Sequence, residues 1–405
     1  MKTSVLITGG GLNGCTLALA LSQAGIATVL VDASRPDDLR RNDFDGRSYA
    51  ISAASSRMLR TLGLWDGLDA NAQPMFDIKV TDGQVGQGPG NFFMHFDHAE
   101  LGGGPMGYIV EDRHLRQSLL AAIEAGDLTY LPETTVTDQR VEDGYVFATL
   151  HDGTVVQSQI LVGADGRGSG TATRAGLKRM GWGYDQTSLV CAVDHALPHN
   201  GVAHQFFMPS GPLAILPLVG NRSSIVWTEK TETALAINAL DDAGYMDVLR
   251  PRFGDFLGEI TLTGARYTYP LGLVLAHSLV ADRVALVGDA AHGVHPIAGQ
   301  GLNAGMKDVA ALAQVLVETH RLGLDLGAGT VLDEYQRWRR FDNTTLALAT
   351  DGFNRLFSNT SGPLRGLRDV GMGVVNALPS LRRGFMKEAA GLTGELPKLM
   401  QGQPL

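Results

Sequence analysis

The chain has 405 residues, 44% hydrophobic and 19% charged, with a net charge of −9 at pH 7. That describes a globular chain long enough for two domains, and its acidity excludes a basic nucleic-acid-binding face as the main function. Cys15 and Cys191 are too few for a disulfide framework and fit a reducing compartment. The apolar run of the opening MKTSVLITGGG is too short for a signal peptide. No segment approaches the ~18 uninterrupted apolar residues of a membrane span, so a cytoplasmic protein is expected.

In chain order, Val5–Thr8 reads as a buried strand, GGGLNG turns it into an apolar helix from about Leu12 to Ala24, and TVLVD is a second buried strand ending at Asp32. Together they predict a βαβ opening. Val136–Gln159 alternates around Asp143-Gly144 and Asp152-Gly153 and predicts an antiparallel meander. QILVGADG, from Gln159 to Gly166, is another buried strand with a glycine-rich end. Residues 181–267 read mostly as strands, among them SLVCAV, HQFFM, AILPL and SSIVW. RVALVGDAAH repeats the strand-then-loop design and leads into a helix from about Leu302 to Leu322. Beyond about 333 the chain reads as helical to the end. Glycine, 51 residues in all against a usual share of roughly 7%, gathers at such turns. Three strands thus end in loops of one kind: GGGLNG, GADG and GDAAH. In a doubly wound sheet, ligands collect at the carboxyl ends of the parallel strands. The expectation is one crevice and one ligand.

Gly9, Gly11 and Gly14 form G-x-G-x-x-G, with Asp32 lying 18 residues beyond Gly14. The glycines permit the turn, the approach of a pyrophosphate and close helix–strand packing. The free N–H groups of the helix start, from Leu12 and Asn13 onward, suit phosphate, and the acid accepts hydrogen bonds from a ribose. Asn13 departs from the small or apolar residue such loops often carry. No G-x-S-x-G nucleophile or P-loop lysine is present. His195, His199 and His204 read as loop histidines, and no metal site is expected.

GGGLNG with Asp32, GADG at 163–166 and GDAAHGVHPIAGQGLN at 288–303 resemble the three fingerprints of FAD-dependent aromatic hydroxylases of the para-hydroxybenzoate hydroxylase type. The resemblance spans nearly the whole chain. It implies an α/β fold: a doubly wound, Rossmann-like FAD domain with a β-sheet substrate domain and C-terminal helices. The FAD domain is expected at 1–72, 103–180 and 268–355, the substrate domain at 73–102 and 181–267, and a helical segment at 356–405. It further implies that Gly288 and Asp289 lie along the ribityl chain. The backbone through Gly299, Gln300, Gly301, Leu302 and Asn303 would stabilise negative charge on the reduced ring, as a helix N-terminus does. Pro296, Gly299 and Gln300 are the expected catalytic loop, with no base identified. By the same resemblance Arg47 (in DGRSYAIS), Arg113 and Gln117 (in EDRHLRQSLL) border the cofactor, and Asp165 belongs to a motif linked to FAD and NAD(P)H. Where relatives carry an arginine three residues past the serine of that motif, this chain has Ala172, with Arg174 nearby.

WGYDQTSLVCAV, GPLAILPL and the tail DGFNRLFSNTSGPLRGLRDVGMGVVNALPSLRRGFMKEAAGL are similar to the ubiquinone-biosynthesis hydroxylases. This implies hydroxylation of a polyprenylated phenol with NADH or NADPH and O2 through a flavin C4a-hydroperoxide. A same-fold prenyl reductase or halogenase, or a non-catalytic flavin-binding subunit, are the alternatives. In the tail, Leu367, Val370, Val374, Leu378 and Leu381 recur at helical spacing. Across 361–388, Arg365, Arg368, Arg382, Arg383 and Lys387 outnumber Asp369 and Glu388. Two readings fit: a helix packed on its own domain, or peripheral contact with the inner face of the membrane, where other ubiquinone-biosynthesis proteins are possible partners.

Overall fold

Strands buried on both faces divide their side chains between two layers, and this chain follows that rule residue by residue. The computed structural model describes all residues except Asp45, Gln87, Gly103 and 358–377. A six-stranded sheet runs in the order Val280–Ala281, Val284–Leu286, Ile160–Gly163, Val5–Thr8, Thr28–Val31 and Thr129–Leu131, parallel except at the first pair. Val5, Ile7, Leu30, Ile160 and Val162 face a helical layer made chiefly by Leu12–Gln23 and Gln300–Arg321. Leu6, Val29, Val31 and Leu161 face the opposite way, against Val146, Ala148, Leu150 and Val156. Those last four belong to the antiparallel meander Val136–Glu142, Tyr145–Leu150 and Val155–Ser158. Its first turn has Asp143 and Gly144 both at positive φ, 49° and 76°, which the Asp-Gly pair favours.

The second large element is an eight-stranded sheet. Its order is His292–Gly293, Ile260–Ala276, Arg179–His195, Arg222–Lys230, Gly211–Leu218, Val202–Met208, Asp77–Gln84 and Gly88–Asp97. Every neighbouring pair is antiparallel except Val202–Met208 with Asp77–Gln84. One face is covered by the helices Thr231–Asn238 and Asp242–Phe253, packed on Leu189, Cys191, Leu213, Ile225 and Trp227. Strand His292–Gly293 comes from the loop just after GDA, so that loop hydrogen-bonds directly to this sheet.

Two expectations need correction. The chain is not helical from 333 to its end: beyond the helix Gly329–Phe357 and the helix Pro379–Ala389, residues 390–405 form turns, with Gly391 and Gly394 at positive φ and the short 3-10 turn Lys398–Gln401. His195 and His204 are strand residues, and only His199 lies in a loop. His195 Nδ1 lies 2.7 Å from the Leu197 carbonyl and Nε2 3.1 Å from Ser223 Oγ. Leu367, Val370 and Val374 lie outside the described residues, while Leu378 and Leu381 are exposed. Among the described residues, no helix is long and apolar enough to cross a membrane.

Candidate active site

The carboxyl ends of the parallel strands stand side by side. Thr8 is in register with Val31 on one side and Gly163 on the other, and Gly163 with Leu286. The ladder continues into the loops. Gly9 N–H donates to the Val31 carbonyl at 2.8 Å, Ala164 N–H to Thr8 at 2.8 Å, and Val287 N–H to Gly163 at 3.0 Å. The three glycine-rich loops therefore leave one edge of one sheet.

Each glycine of the first loop has its own task. Gly9 has φ +98°, and a Cβ there would sit 2.5 Å from the Ala164 carbonyl oxygen. A Cβ on Gly14 would run into the Gly9 carbonyl and lie 3.2 Å from Ala164 Cβ. Gly11, by contrast, has open space around it, with nothing within 4 Å of such a Cβ. Two glycines thus let backbone meet backbone, and the third leaves room for something absent from the protein. No side chain caps the helix that begins at Leu12, so its first N–H groups remain a natural anion site.

Asp32 is buried and accepts hydrogen bonds from Gly10 N–H and, at 2.6 Å, from Ser34 N–H. It lines a cleft of ≈ 440 Å³ together with Gly11, Ser34, Thr135, Asp165 and Arg174. Arg174 crosses over Gly170, where a Cβ would be 2.7 Å from its Nη1, and its Nε donates to Gln139 at 3.2 Å. Arg174, two residues beyond Ala172, thus brings a cation to this cleft. Asp165 is turned inward on its own loop. Its carboxylate accepts from Ser169 Oγ (2.5 Å), Thr171 N–H (2.9 Å) and Thr171 Oγ1 (2.9 Å).

The second loop is clamped from both sides. Gly288, at φ +59°, and Gly305 leave the space that the Asn13 amide fills, which accounts for an asparagine in the first loop. Asn13 Oδ1 is buried with no hydrogen-bond partner among the described residues. Below the loop, Asp308 is fully buried and receives Gly288 N–H at 3.1 Å, Arg339 Nε at 2.8 Å and Asn343 Nδ2 at 3.0 Å, with His292 Nε2 at 2.5 Å. Burial pushes the Asp308 carboxyl up, but the His292 and Arg339 charges outweigh it and hold the group well below the usual carboxylate range. Asp289 itself is half exposed and meets Arg167 Nε at 3.2 Å.

The second loop continues through a fully buried histidine. His295 has neither ring nitrogen hydrogen-bonded among the described residues and packs edge-on to Tyr184 at 5.3 Å. Burial, aided by Arg167 and opposed by Asp351, pushes its pKa down to about 4. Pro296 then enters a short turn closed by Gly299 N–H to the Pro296 carbonyl at 3.0 Å. Gly299 is left-handed at φ +63° and begins the long helix without a side-chain cap. Gln300 Nε2 reaches the Ala389 carbonyl at 3.4 Å. The Asn303 side chain accepts from Ser52 N–H (2.9 Å) and donates to Ala50 C=O (2.8 Å), so it fastens the helix to the strand Ser48–Ser52. Gly301 and Leu302 supply backbone in the same first turn. Ile297 projects into an apolar cluster with Met75, Phe96, Ala192, Phe207 and Leu218.

Arg47, Arg113 and Gln117 gather around 40–47 and do not line the Asp32 cleft. Arg47 pairs with Asp112 at 2.9 Å, and Arg113 with Glu111 at 2.6 Å and the Asn42 carbonyl. Gln117 Nε2 donates to the Arg40 and Arg41 carbonyls at 3.3 Å. The residues that sequence reasoning missed are Asp308, Arg339, Asn343 and His295. Their only signal was a charged or polar residue inside an otherwise apolar helical or loop pattern.

An open cradle at Gly11, uncapped helix starts at Leu12 and Gln300, a buried acid and an arginine in one cleft, and an orphaned amide oxygen between the loops fit a dinucleotide flavin. Residues 2–344 match the family described as FAD binding domain. The chain is 45% identical over 405 residues to the ubiquinone hydroxylase UbiL of Rhodospirillum rubrum, covering 99% of this chain and 93% of that one. It is 34% identical over 394 residues to the 3-demethoxyubiquinol 3-hydroxylase of Escherichia coli, covering 96% and 99%. The p-nitrophenol 4-monooxygenase PnpA of Pseudomonas putida shares the fold, with a TM-score of 0.79 at 20% identity over 97% of this chain and 99% of that one. The chain belongs to the FAD binding domain family and, within it, to the ubiquinone hydroxylases: it is an FAD-dependent monooxygenase.

Proposed function

We propose that the protein hydroxylates the aromatic ring of a polyprenylated phenol in ubiquinone biosynthesis, with NADH or NADPH as electron donor. The two electrons of the nicotinamide and O2 are consumed, one oxygen atom entering the ring and the other leaving as water. FAD, when bound, supplies the activation of oxygen. Gly9, Gly11, Leu12, Asn13 and Gly14 hold its pyrophosphate, Asp32 a ribose hydroxyl, and Arg174 balances phosphate charge. Gly288 and Asp289 would hold the ribityl chain, with Arg167 paired to Asp289 beside them. The N–H groups of Gly301, Leu302 and Asn303, in the first turn of the long helix, would stabilise negative charge on the reduced ring. Arg47, Arg113 and Gln117 hold the 40–47 segment at the cofactor's flank, and Asp165 rigidifies the third loop.

Pro296, Gly299 and Gln300 shape the ring-side wall of a dry cavity, which oxygen transfer requires. The single observation that supports this reading most is the position of Ile297. It carries the ring loop into the apolar cluster of Phe207, Leu218 and Ala192, an environment suited to a prenylated ring. In this reading 1–72, 103–180 and 268–355 form the FAD domain, 73–102 and 181–267 the substrate domain, and 356–405 a C-terminal segment. The protein works peripherally on the membrane that holds its substrate. The test is quinone-intermediate profiling in a strain lacking the gene. A prenylated phenol short of one ring oxygen should accumulate and disappear on complementation; an unchanged quinone pool refutes the assignment.

A further inference from the structure

His295 carries an unusual burden for a side chain with no access to solvent. Both of its ring nitrogens are buried without a hydrogen-bond partner, and among the described residues no other side chain has two such atoms. His292, three residues earlier, lacks a partner only at Nδ1, because its Nε2 meets Asp308 at 2.5 Å. Buried polar groups left unpaired cost stability, and folded proteins keep few of them. An imidazole retained in that state calls for a partner that the chain does not itself supply.

The surroundings show why the chain does not supply it. Tyr184 meets the imidazole edge-on at 5.3 Å and packs on the apolar cluster of Leu273, Val294 and Ala347. Two charges act on the imidazole, Arg167 and Asp351, and both are engaged elsewhere. Arg167 is taken by Asp289 at 3.2 Å and by the Val294 carbonyl at 3.4 Å. Asp351 receives Trp182 Nε1 at 3.3 Å and Arg355 Nε at 2.9 Å. Burial, aided by Arg167, keeps His295 neutral above a pKa of about 4, while burial and Asp351 keep the Tyr184 hydroxyl protonated. A neutral imidazole has one nitrogen free to accept and one N–H free to donate.

The position of His295 in the loop indicates the partner. Pro296, the ring-side wall of the proposed cavity, follows it. Ile297 comes next, buried in the apolar cluster with Met75, Phe96 and Phe207. Cα atoms two residues apart are separated by at most about 7 Å, the span of one aromatic ring with its hydroxyl. Within that span the loop sets an unpartnered acceptor before Pro296 and hydrocarbon after it. A prenylated phenol has the same two ends: a hydroxyl that needs an acceptor once it leaves water, and an apolar substituent.

We infer that His295 accepts the hydrogen bond of the substrate's phenol hydroxyl and so orients the ring against Pro296. This rests on the proposed reading of the substrate and adds to it the group that holds the ring's oxygen. A hydroxyl whose hydrogen is shared with an acceptor releases more electron density into its ring, and a ring that is to take up oxygen needs that density.

Binding is measured without turnover, so this inference and the proposed activity can fail separately. The probes are ortho-prenylphenol and its O-methyl ether, each titrated against FAD-loaded protein by equilibrium dialysis. The ether keeps the ring and the prenyl group but has no hydrogen to donate, so wild type should bind the phenol about ten-fold more tightly. His295→Phe keeps a ring without the acceptor and should bind phenol and ether alike. Should that variant fold poorly, His295→Gln, which keeps an acceptor, should retain a preference that His295→Ala loses. A purely structural role would weaken both probes together and leave their ratio unchanged. Wild type that binds the two alike or binds neither, or a preference that survives undiminished in His295→Phe, overturns the inference. Phenol-selective binding without any oxygenated product would instead overturn the proposed activity and leave this assignment standing.

Discussion

Asp308 is not part of any glycine-rich loop, yet it fixes the one that carries Gly288 and Asp289. Its carboxylate joins Gly288 N–H, His292, Arg339 and Asn343 at a point with no access to solvent. Asp308→Asn is nearly isosteric but leaves the buried Arg339 charge with Asp342 alone, a carboxylate it shares with Lys307. Breaking such a pair costs about 3–5 kcal/mol, so the variant should melt well below wild type and bind FAD more weakly as the Gly288–Asp289 turn loosens. Thermal melts and FAD titration measure both, and an unchanged pair of values would show that Arg339 finds compensation elsewhere. His295 gives the pH dependence. Burial lowers its pKa from 6.5 to about 4 in the folded chain, so below 6.5 the unfolded state takes up a proton that the folded state refuses. Stability that is complete above 6.5 is therefore lost as the pH falls towards 4, by roughly 3 kcal/mol at most. His204, also lowered to about 4 by burial and Lys79, titrates in the same window. The informative comparison is wild type against His295→Phe: the variant's melting temperature should fall less steeply between those limits, and parallel curves would exclude His295 as a contributor.

At the scale of elements, the two loop glycines with different surroundings make opposite predictions. Gly9→Ala demands a positive φ of a non-glycine residue and drives a methyl into the Ala164 carbonyl. It should destabilise the apoprotein by about 1–3 kcal/mol from backbone strain alone, and FAD should be lost with the loop. Gly11→Ala meets nothing in the protein. Its apoprotein should melt within about 0.5 kcal/mol of wild type while FAD affinity drops, because the methyl occupies cofactor space. Equal effects in the two variants would mean that Gly11 faces protein and not ligand. The parallel strands, the Asp-Gly turn and the convergence of three loops were legible in the sequence, because buried strands write continuous apolar runs and glycine marks each tight turn. The polar interior of the 329–357 helix was not, since Asn343 and Asn354 bond partners as far as 35 and 168 residues away. Nor was the end of the helical region, where Gly391, Gly394 and Pro397 break the periodicity. The departure at Ala172 was visible, but only the path of Arg174 over Gly170 shows that an arginine lines the cleft.

At the scale of the molecule, the cofactor edge of one sheet and the apolar cluster on one face of another meet along a single loop, His292–Gln300. His292 and Gly293 pair with the large sheet, Gly288 is tied to the helical layer through Asp308, and Ile297 enters the apolar cluster. A flavin laid along the first sheet would thus have its reactive end at the boundary with the second, where water is scarce and a prenylated ring can lie. Oxygen transfer is the property that follows most directly. Purified FAD-loaded protein, NADH or NADPH, a short-chain prenylphenol and isotopically labelled O2 are incubated together, and the product is weighed by mass spectrometry. The expected product carries one labelled oxygen atom on its aromatic ring. NAD(P)H oxidation that leaves the phenol unchanged and yields only hydrogen peroxide, or a ring oxygen that derives from water, would contradict the assignment.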